Sequence, residues 1–215
     1  MGGAVVQHES DSDDRSERVL RWAVAELGIA GIADGFGREL VLDQAPATMS
    51  PPEAAIAGRV VLMRRSRPTA GQPTAASSFD TLTAAVRPGS IVLVATEPGI
   101  GATFGSNIAL HVACLRAQAL IADGPARDVS RMAHVPLVCG WSGSDARRPS
   151  GAVMQEVAAA EVFGRTWATG DWYLADADGA LQIPAAQADE IAGALIDAHR
   201  DEAEFASLVG LAKGR

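Results

Sequence analysis

The fold of this chain is decided by one short stretch, Ala119-Leu120-Ile121-Ala122-Asp123-Gly124-Pro125-Ala126-Arg127-Asp128. Its first four residues are apolar and predict a buried strand, and the Gly-Pro pair predicts a turn after it. An arginine followed at once by an aspartate then places a cation and a carboxylate at the exit of the strand. The same dipeptide is also typical of an ordinary surface ion pair in a turn, so both interpretations stay open at this point.

A glycine-rich loop lies upstream, at residues 98–105, and opens a predicted helix over residues 106–116. Predicted strands at residues 91–95 and 119–122 flank the loop and helix, and this strand–loop–helix–strand order predicts parallel pairing. The free N–H groups at the start of the helix would then face Arg127 and Asp128. Such a cleft suits a small carboxylate and a divalent cation.

The glycine loop also has to be compared with a dinucleotide-binding fingerprint. Gly99, Gly101 and Gly105 follow a buried strand, and Asp123 could serve as the acid that binds a ribose. The spacing is GxGxxxG rather than GxGxxG, however, and no further strand–helix alternation follows Asp128. The sequence therefore favours glycines that let the backbone approach a small ligand or a neighbouring subunit.

Composition predicts a globular protein, because hydrophobic residues make up 48% and charged residues 20% of the 215 residues. We expect a disordered acidic tail at residues 1–16 and a single domain over residues 17–215. The net charge of −8 disfavours a nucleic-acid partner. The basic run at residues 64–67 is expected to end a strand at the surface. A polar N-terminus without a long apolar run predicts a cytoplasmic protein with no membrane contact.

The rest of the chain predicts a mixed α/β domain whose later half is mostly antiparallel. Gly28 is expected to end the first helix, and Gly31, Gly35 and Gly37 are expected to keep the next segment irregular. Residues 156–168 are expected to be largely extended. Helices are predicted at residues 16–27, 79–86 and 186–209, and further strands at residues 57–63, 135–139, 172–176 and 180–183.

The order of these pieces resembles the RraA-like family, which includes RraA regulators and class II pyruvate-type aldolases. The aldolases act on 4-hydroxy-4-methyl-2-oxoglutarate and 4-carboxy-4-hydroxy-2-oxoadipate. The resemblance implies a layered β/β/α fold with a partly parallel, partly antiparallel β core, an N-terminal helix and a long C-terminal helix. It also implies a homotrimer or hexamer with active sites between subunits. The matching segments are residues 57–61, 87–94, 105–109, 123–129 and 170–179.

The aldolase branch has a more specific motif: Gly, Asp or Glu, twenty residues, Arg-Asp, two residues, and Glu or Asp. Gly105 and the pair Arg127-Asp128 match it, with residues 107–126 between them. Ser106 and Arg131 stand where the motif has its two acids. These departures leave the expected fold unchanged and bear on the reaction.

The resemblance implies roles for the matching residues. Asp128 would hold Mg²⁺ or Mn²⁺, and Arg127 would stabilise an enolate. The start of the helix, at Gly105, Asn107 and Ile108, would receive the carboxylate of a 2-oxo acid.

Proton transfer needs a further group, because Ser106 can hydrogen-bond a water but cannot act as its base near neutral pH. By analogy with the family, Glu202 or Glu204 of a neighbouring subunit could take part of that role. A solvated helix face is the alternative interpretation for both residues.

We therefore expect a divalent-metal-dependent lyase that acts on a small 2-oxo acid. It would perform retro-aldol cleavage or oxaloacetate-type decarboxylation through a metal-bound enolate. One alternative is a non-catalytic regulator that binds another protein, which the loss of two acids favours and the retained Arg127 and Asp128 disfavour. Another is a family member repurposed for hydration or elimination in specialised metabolism.

Overall fold

The computed structural model describes residues 4–51, 53–68, 77–149 and 151–199. The helices are α1 (Ala4–Glu26), α2 (Gly28–Phe36), α3 (Ser78–Ala85), α4 (Ser106–Cys114), α5 (Val129–Met132) and α6 (Ala188–Ala198), with 3-10 turns at Arg38–Leu40 and Ala185–Gln187. The strands are β1 (Thr48–Ser50), β2 (Ile56–Ser66), β3 (Ile91–Thr96), β4 (Ala119–Ala122), β5 (Val138–Trp141), β6 (Val153–Glu156), β7 (Ala159–Val162), β8 (Arg165–Ala168), β9 (Trp172–Ala175) and β10 (Ala180–Ile183).

The central sheet has eight strands in the order β1-β5-β4-β3-β2-β9-β10, with β6 on the far end of β2. Strands β2 to β5 are parallel, and β1, β6, β9 and β10 pair antiparallel. The first part of β2 pairs with β9 and its last part with β6, so one long strand joins both halves of a curled sheet. The predicted α/β fold is confirmed, with its mixed β core and its N-terminal and C-terminal helices.

Apolar side chains bury both faces of the parallel strands. Val92 belongs to the cluster under α3, α4 and α5, whereas its neighbour Leu93 packs with Trp167 of the β7–β8 hairpin. A third cluster joins α1, α2 and α6 to β9 and β10, and includes Leu20 and Trp172. Burial on both faces explains why β3 and β4 are uninterrupted apolar runs.

Two predictions near the N-terminus are wrong. Helix α1 begins at Ala4, twelve residues before the predicted start at residue 16, and residues 28–36 form α2 instead of an irregular segment. The carboxylate of Asp176 accepts a hydrogen bond of 2.7 Å from the Ile29 N–H, so a distant hairpin caps α2. Ile29 and Ile32 are buried, and this packing outweighs the low helix propensity of the glycines.

The ends of the domain are described in part. The Ser16 hydroxyl donates a 2.6 Å hydrogen bond to Asp189 and so joins α1 to α6. The predicted boundary between an acidic tail and the domain at residue 16 stays a prediction. Helix α6 is described to Ala198, and its predicted continuation to residue 209 lies outside the described residues. No helix in the described part of the chain is both long enough and apolar enough to cross a membrane.

Strand β5 begins at Val138, three residues later than predicted, because the chain before it turns on itself. The N–H of Val135 donates to the Met132 carbonyl at 3.0 Å, and the N–H of Leu137 donates to the Val135 carbonyl at 2.8 Å. The short elements α5 and β1 were not predicted. The extended segment at residues 156–168 is the β7–β8 hairpin.

Candidate functional site

Hydrogen bonds at the carboxyl ends of β3 and β4 fix the glycine loop. Asp123 accepts a 2.8 Å bond from the Thr96 N–H, and the Thr96 and Thr103 hydroxyls lie 2.9 Å apart. The Thr103 N–H donates to the Pro125 carbonyl at 2.7 Å. A Cβ at Gly124 would lie 2.3 Å from the Thr103 hydroxyl, so this close approach requires glycine. The loop is therefore held against the exit of β4.

The structure does not support a nucleotide-binding role for Asp123. Burial raises the pKa of its carboxyl group, and hydrogen bonds from Thr96 oppose that shift. The carboxylate is thus engaged in joining two strand ends. The sheet order, with antiparallel β9 and β10 beside β2, also differs from a doubly wound sheet.

Arg127 and Asp128 pack directly over Gly105. The Arg127 N–H donates to the Phe104 carbonyl at 3.1 Å, which continues the pairing between the loop and the β4 exit. A Cβ at Gly105 would lie 2.9 Å from both Arg127 Cγ and Asp128 Oδ2. Arg127 Nε lies 3.8 Å from Asp128 Oδ2, and Asp128 has a left-handed backbone with φ of 55°. Because Gly105 has no side chain, the side chains of Arg127 and Asp128 can pack against the start of α4.

A cleft of about 320 Å³ opens in front of this helix start. Of the predicted substrate-binding residues, Gly105, Asn107, Ile108 and Arg127 all line it. Ser106 does not line it, and its residue is only 8% exposed. Asp128 does not line it either; its carboxylate lies beside Arg127, with 39% of the side chain exposed. Glu202 and Glu204 lie outside the described residues.

In the part of the chain that the structure describes, the N–H groups in the first turn of α4 have no hydrogen-bond partner, and Asn107 and Ile108 of this turn line the cleft. Gly105 is the N-cap residue in an extended conformation, and no side chain in the described ranges caps the helix. The free amides and the positive end of the helix dipole both favour an anion here. This arrangement can bind a carboxylate.

Arg65 also lines the cleft, which its place in the basic run did not predict. The basic run was expected at the surface, but Arg65 is only 7% exposed, whereas Arg64 is exposed. Burial lowers the pKa of the Arg65 guanidinium, and the nearby charge of Arg127 lowers it further. Side chains alternate between the two faces of a strand, so Met63 and Arg65 lie on the same face of β2. Because Met63 is an apolar residue of the buried cluster, this spacing was the signal in the sequence that Arg65 is buried too.

His111 has a structural role between α4 and α3. Its Nε2 lies 3.1 Å from the Phe79 carbonyl and 3.0 Å from the Thr83 hydroxyl, and its ring meets the Phe79 ring edge-on. This contact fixes the first turn of α3. Because Ser77, Ser78 and Phe79 line the cleft, His111 helps to shape one of its walls.

The donor set around Asp128 fits a hydrated hard cation. Its carboxylate accepts no hydrogen bond from the described residues and keeps lone pairs available beside Arg127. Mg²⁺ is commonly held by one or two carboxylates, with water and ligand oxygens completing its shell. Within the described part of the chain, no three His, Cys, Asp or Glu side chains cluster as a dedicated metal cage would need. A structural zinc site does not fit.

The sequence pattern of the RraA-like family, described as Aldolase/RraA, matches residues 29–183. Because this match spans most of the 215 residues, the chain belongs to the RraA-like family, as the order of its motifs predicted. No curated protein matches the chain significantly.

Solved structures show the same fold at low sequence identity. Streptomyces coelicolor RraAS2, an unusual member of the RNase ES inhibitor RraA protein family, has a TM-score of 0.67 and 18% identity, covering 89% of this chain and 96% of that one. A structure described as novel cellulases from microbes of the gut ecosystem has a TM-score of 0.66 and 17% identity, covering 87% and 86%. An uncharacterized protein from Pseudomonas syringae pv. tomato str. DC3000 has a TM-score of 0.59 and 16% identity, covering 91% and 94%. These likenesses show the fold alone, since one description names an inhibitor family, one names cellulases and one names no activity.

Proposed function

We propose that this chain is a divalent-metal-dependent lyase that acts on a small 2-oxo acid. It performs either retro-aldol cleavage or decarboxylation of an oxaloacetate-like substrate. The observation that carries the proposal is the packing of Arg127 and Asp128 on Gly105, beside the open N-terminus of α4. Arg127 and the start of α4 thus line one cleft, and the Asp128 carboxylate lies next to Arg127.

Substrate binding begins at α4. The N–H groups of Asn107 and Ile108 would hold the carboxylate of the 2-oxo acid, helped by the helix dipole. Both residues line the cleft, as does Arg127. A carboxylate bound there would bring its 2-oxo oxygen towards the guanidinium.

Arg127 would stabilise the charge that develops during the reaction. When the C–C bond breaks, its electron pair passes to the keto oxygen as an enolate. The backbone of Arg127 is held by the Phe104 carbonyl and its side chain packs on Gly105 before substrate binds, and preorganised donors contribute about 3–4 kcal/mol. A divalent cation held by Asp128 would supply Lewis-acid polarisation of the substrate.

Proton transfer depends on groups outside the described cleft. In retro-aldol cleavage a base must take the proton of the 4-hydroxyl as the C–C bond breaks, and the enolate carbon must then gain a proton. The Ser106 hydroxyl can orient a water that relays the proton, but it cannot be the base near neutral pH. We propose that Glu202 or Glu204 of a neighbouring copy supplies the carboxylate, in a homotrimer or hexamer. This part of the proposal rests on the family resemblance.

A non-catalytic regulator that binds another protein is the second proposal. The observation that favours it is that Ser106 and Arg131 replace the two motif acids.

A reaction of a different type, such as hydration or elimination, would use the same Arg127 and Asp128 and would appear as turnover without C–C cleavage.

A turnover assay tests the lyase proposal. Purified protein is incubated with oxaloacetate or a 4-hydroxy-2-oxo acid, with EDTA, Mg²⁺ or Mn²⁺, and pyruvate release is measured above the protein-free rate. We expect saturable, metal-dependent turnover that Arg127→Ala reduces by roughly 100-fold or more. Arg38→Ala, an equal charge change at an exposed position of a 3-10 turn, should leave it unchanged. Absence of turnover with both substrates would contradict the lyase.

A further inference from the structure

One wall of the cleft beyond the start of α4 is apolar. Phe79 of α3, Phe104 of the glycine loop and Ile108 of α4 all line it. Phe104 is almost fully buried, whereas Phe79 is 42% exposed. Of the three large apolar side chains that are exposed in the described ranges, Phe79 is the one that lines this cleft. Its ring therefore leaves apolar surface that a ligand in the cleft can cover.

The ring of Phe79 is ordered before any ligand binds. It meets the ring of His111 edge-on, with 5.0 Å between the two ring centroids. The Phe79 carbonyl lies 3.1 Å from His111 Nε2 and accepts a 2.8 Å hydrogen bond from the Thr83 hydroxyl. The Ser77 side chain caps the same helix at the Asp80 N–H. Because these contacts already fix the wall, a ligand that packs against it loses little of its binding energy to ordering the protein.

The charged side chains of the cleft are compatible with an aromatic ring. Among the described residues, those that line it are Arg65, Arg127 and Arg148. A guanidinium group is planar and stacks on aromatic rings, because the faces of the rings are negative. Arg65 is only 7% exposed, and its Nε has no hydrogen-bond partner in the described part of the chain. An aromatic ring thus suits both the apolar and the cationic lining, whereas an alkyl chain suits the apolar lining alone.

We propose that Phe79, Phe104 and Ile108 form a subsite for an aromatic ring on C4 of the substrate. The substrates are then 4-aryl-4-hydroxy-2-oxo acids. This inference rests on the proposed function, because it assigns Arg127 and the start of α4 to the 2-oxo acid end. In the cleavage, the C3–C4 bond breaks, its electron pair passes into the pyruvate enolate, and the 4-hydroxyl loses its proton. C4 leaves as an aromatic aldehyde, and C3 gains a proton.

Calorimetric titration in the presence of Mg²⁺ tests the subsite with two matched probes. 2-Oxo-4-phenylbutanoate and 2-oxobutanoate differ by the ring on C4, and neither has the 4-hydroxyl group that cleavage needs. We expect the protein to bind the phenyl compound about tenfold more tightly, since the ring is buried against apolar side chains. Phe79→Ala should reduce this preference to about threefold or less, while the affinity for 2-oxobutanoate changes by less than about twofold.

Leu110→Ala is the matched control, because it removes a large apolar side chain that is 50% exposed and does not line the cleft. It should keep the full preference for the ring. Equal affinities of the unmodified protein for both probes, or an unchanged preference in Phe79→Ala, would overturn the subsite. If Phe79→Ala gives no cooperative melting, Ile108→Ala decides, with a reduced preference expected and an unchanged one contradicting the proposal.

A third probe, 2-oxoglutarate, compares the ring with an acidic group. We expect it to bind more weakly than 2-oxo-4-phenylbutanoate, and the reverse order would overturn the subsite.

The two proposals fail in different ways. A ring preference that Phe79→Ala reduces supports the subsite even if no 2-oxo acid is cleaved, and that combination would reject the lyase alone. Release of pyruvate from a 4-hydroxy-2-oxo acid, without any preference for the ring in binding, would reject the subsite alone.

Discussion

Single residues determine how closely the charged groups approach the start of α4. The extended backbone of Gly105 is a conformation that any residue can adopt, so the backbone does not require glycine here. The lack of a side chain does matter, because a Cβ at this position would lie 2.9 Å from Arg127 and Asp128. The left-handed backbone of Asp128 turns the chain from the β4 exit into α5. Position 105 is therefore a sensitive point of the site, although it carries no reactive group.

The first prediction concerns this space. Gly105→Ala should displace Arg127 and Asp128 and lower the affinity for oxalate by roughly tenfold or more, since a small misplacement of catalytic groups has large effects. Calorimetric titration measures it. Gly35→Ala is the control, because its Cβ would meet nothing within 4 Å. Equal oxalate affinities for both variants would show that the packing at position 105 has no functional consequence.

The second prediction concerns Ser106, where the aldolase motif has an acid. If the lyase lacks an efficient proton relay, Ser106→Asp should raise the rate of 2-oxo acid cleavage by roughly 10–100-fold. An acid in the first helical turn is also compatible with the helix dipole. Steady-state kinetics of both proteins, with melting curves to confirm folding, measure the change. A lower native activity in Ser106→Asp would instead indicate a different reaction, such as hydration or elimination.

Whole elements show which interactions hold the frame of the site. Helix α2 starts with glycine and is capped from the β9–β10 hairpin, 147 residues away in sequence. The same carboxylate accepts a 2.8 Å bond from the Asp178 N–H, so Asp176 orders the hairpin turn as well. One side chain thus joins α2 to the far edge of the sheet.

The third prediction follows from this cap. Asp176→Ala should destabilise the protein by about 0.5–2 kcal/mol, the usual effect of losing a helix cap. That loss corresponds to a fall in melting temperature of several degrees, about 2–4 °C per kcal/mol. Asp178→Ala, an exposed neighbour in the same turn, should melt like the unmodified protein. Identical melting of the two variants would mean that α2 is held by its apolar face alone.

Elements with a local signal were predictable from the sequence, and elements that depend on distant contacts were not. Strand β4 was predicted at its observed bounds, because an apolar run between turns has one interpretation. Helix α2 was missed since its cap comes from a distant hairpin.

In the site, the motif placed Arg127 and the start of α4 at the cleft. Arg65 was missed because the basic run was interpreted as a surface feature instead of as alternating strand residues.

The whole molecule combines an acidic overall charge with a basic cleft. The net charge is −8, yet the charged side chains that line the cleft in the described residues are arginines. A concentrated positive region in an acidic protein attracts small anions while the remaining surface repels large polyanions. This distribution suits small acidic ligands and disfavours nucleic acid.

The fourth prediction is that the protein assembles. A cleft completed by a neighbouring copy requires an oligomer, so light scattering should give three chains or a multiple of three at micromolar concentration. Truncation before Glu202 should then reduce turnover while leaving 2-oxo acid binding at α4 in place. A stable monomer would rule out any role for Glu202 or Glu204 of a partner and would remove the proposed carboxylate from the proton relay.

The site as a whole is tested most directly by locating metal and carboxylate together. Crystals grown with Mn²⁺ and oxalate should show an anomalous density peak beside the Asp128 carboxylate, with oxalate against the Asn107 and Ile108 amides and Arg127. Asp128→Asn crystals should lack the metal peak, and Mn²⁺ should no longer raise the melting temperature in the presence of oxalate. A metal peak elsewhere, or oxalate bound away from α4, would contradict the proposed lyase site.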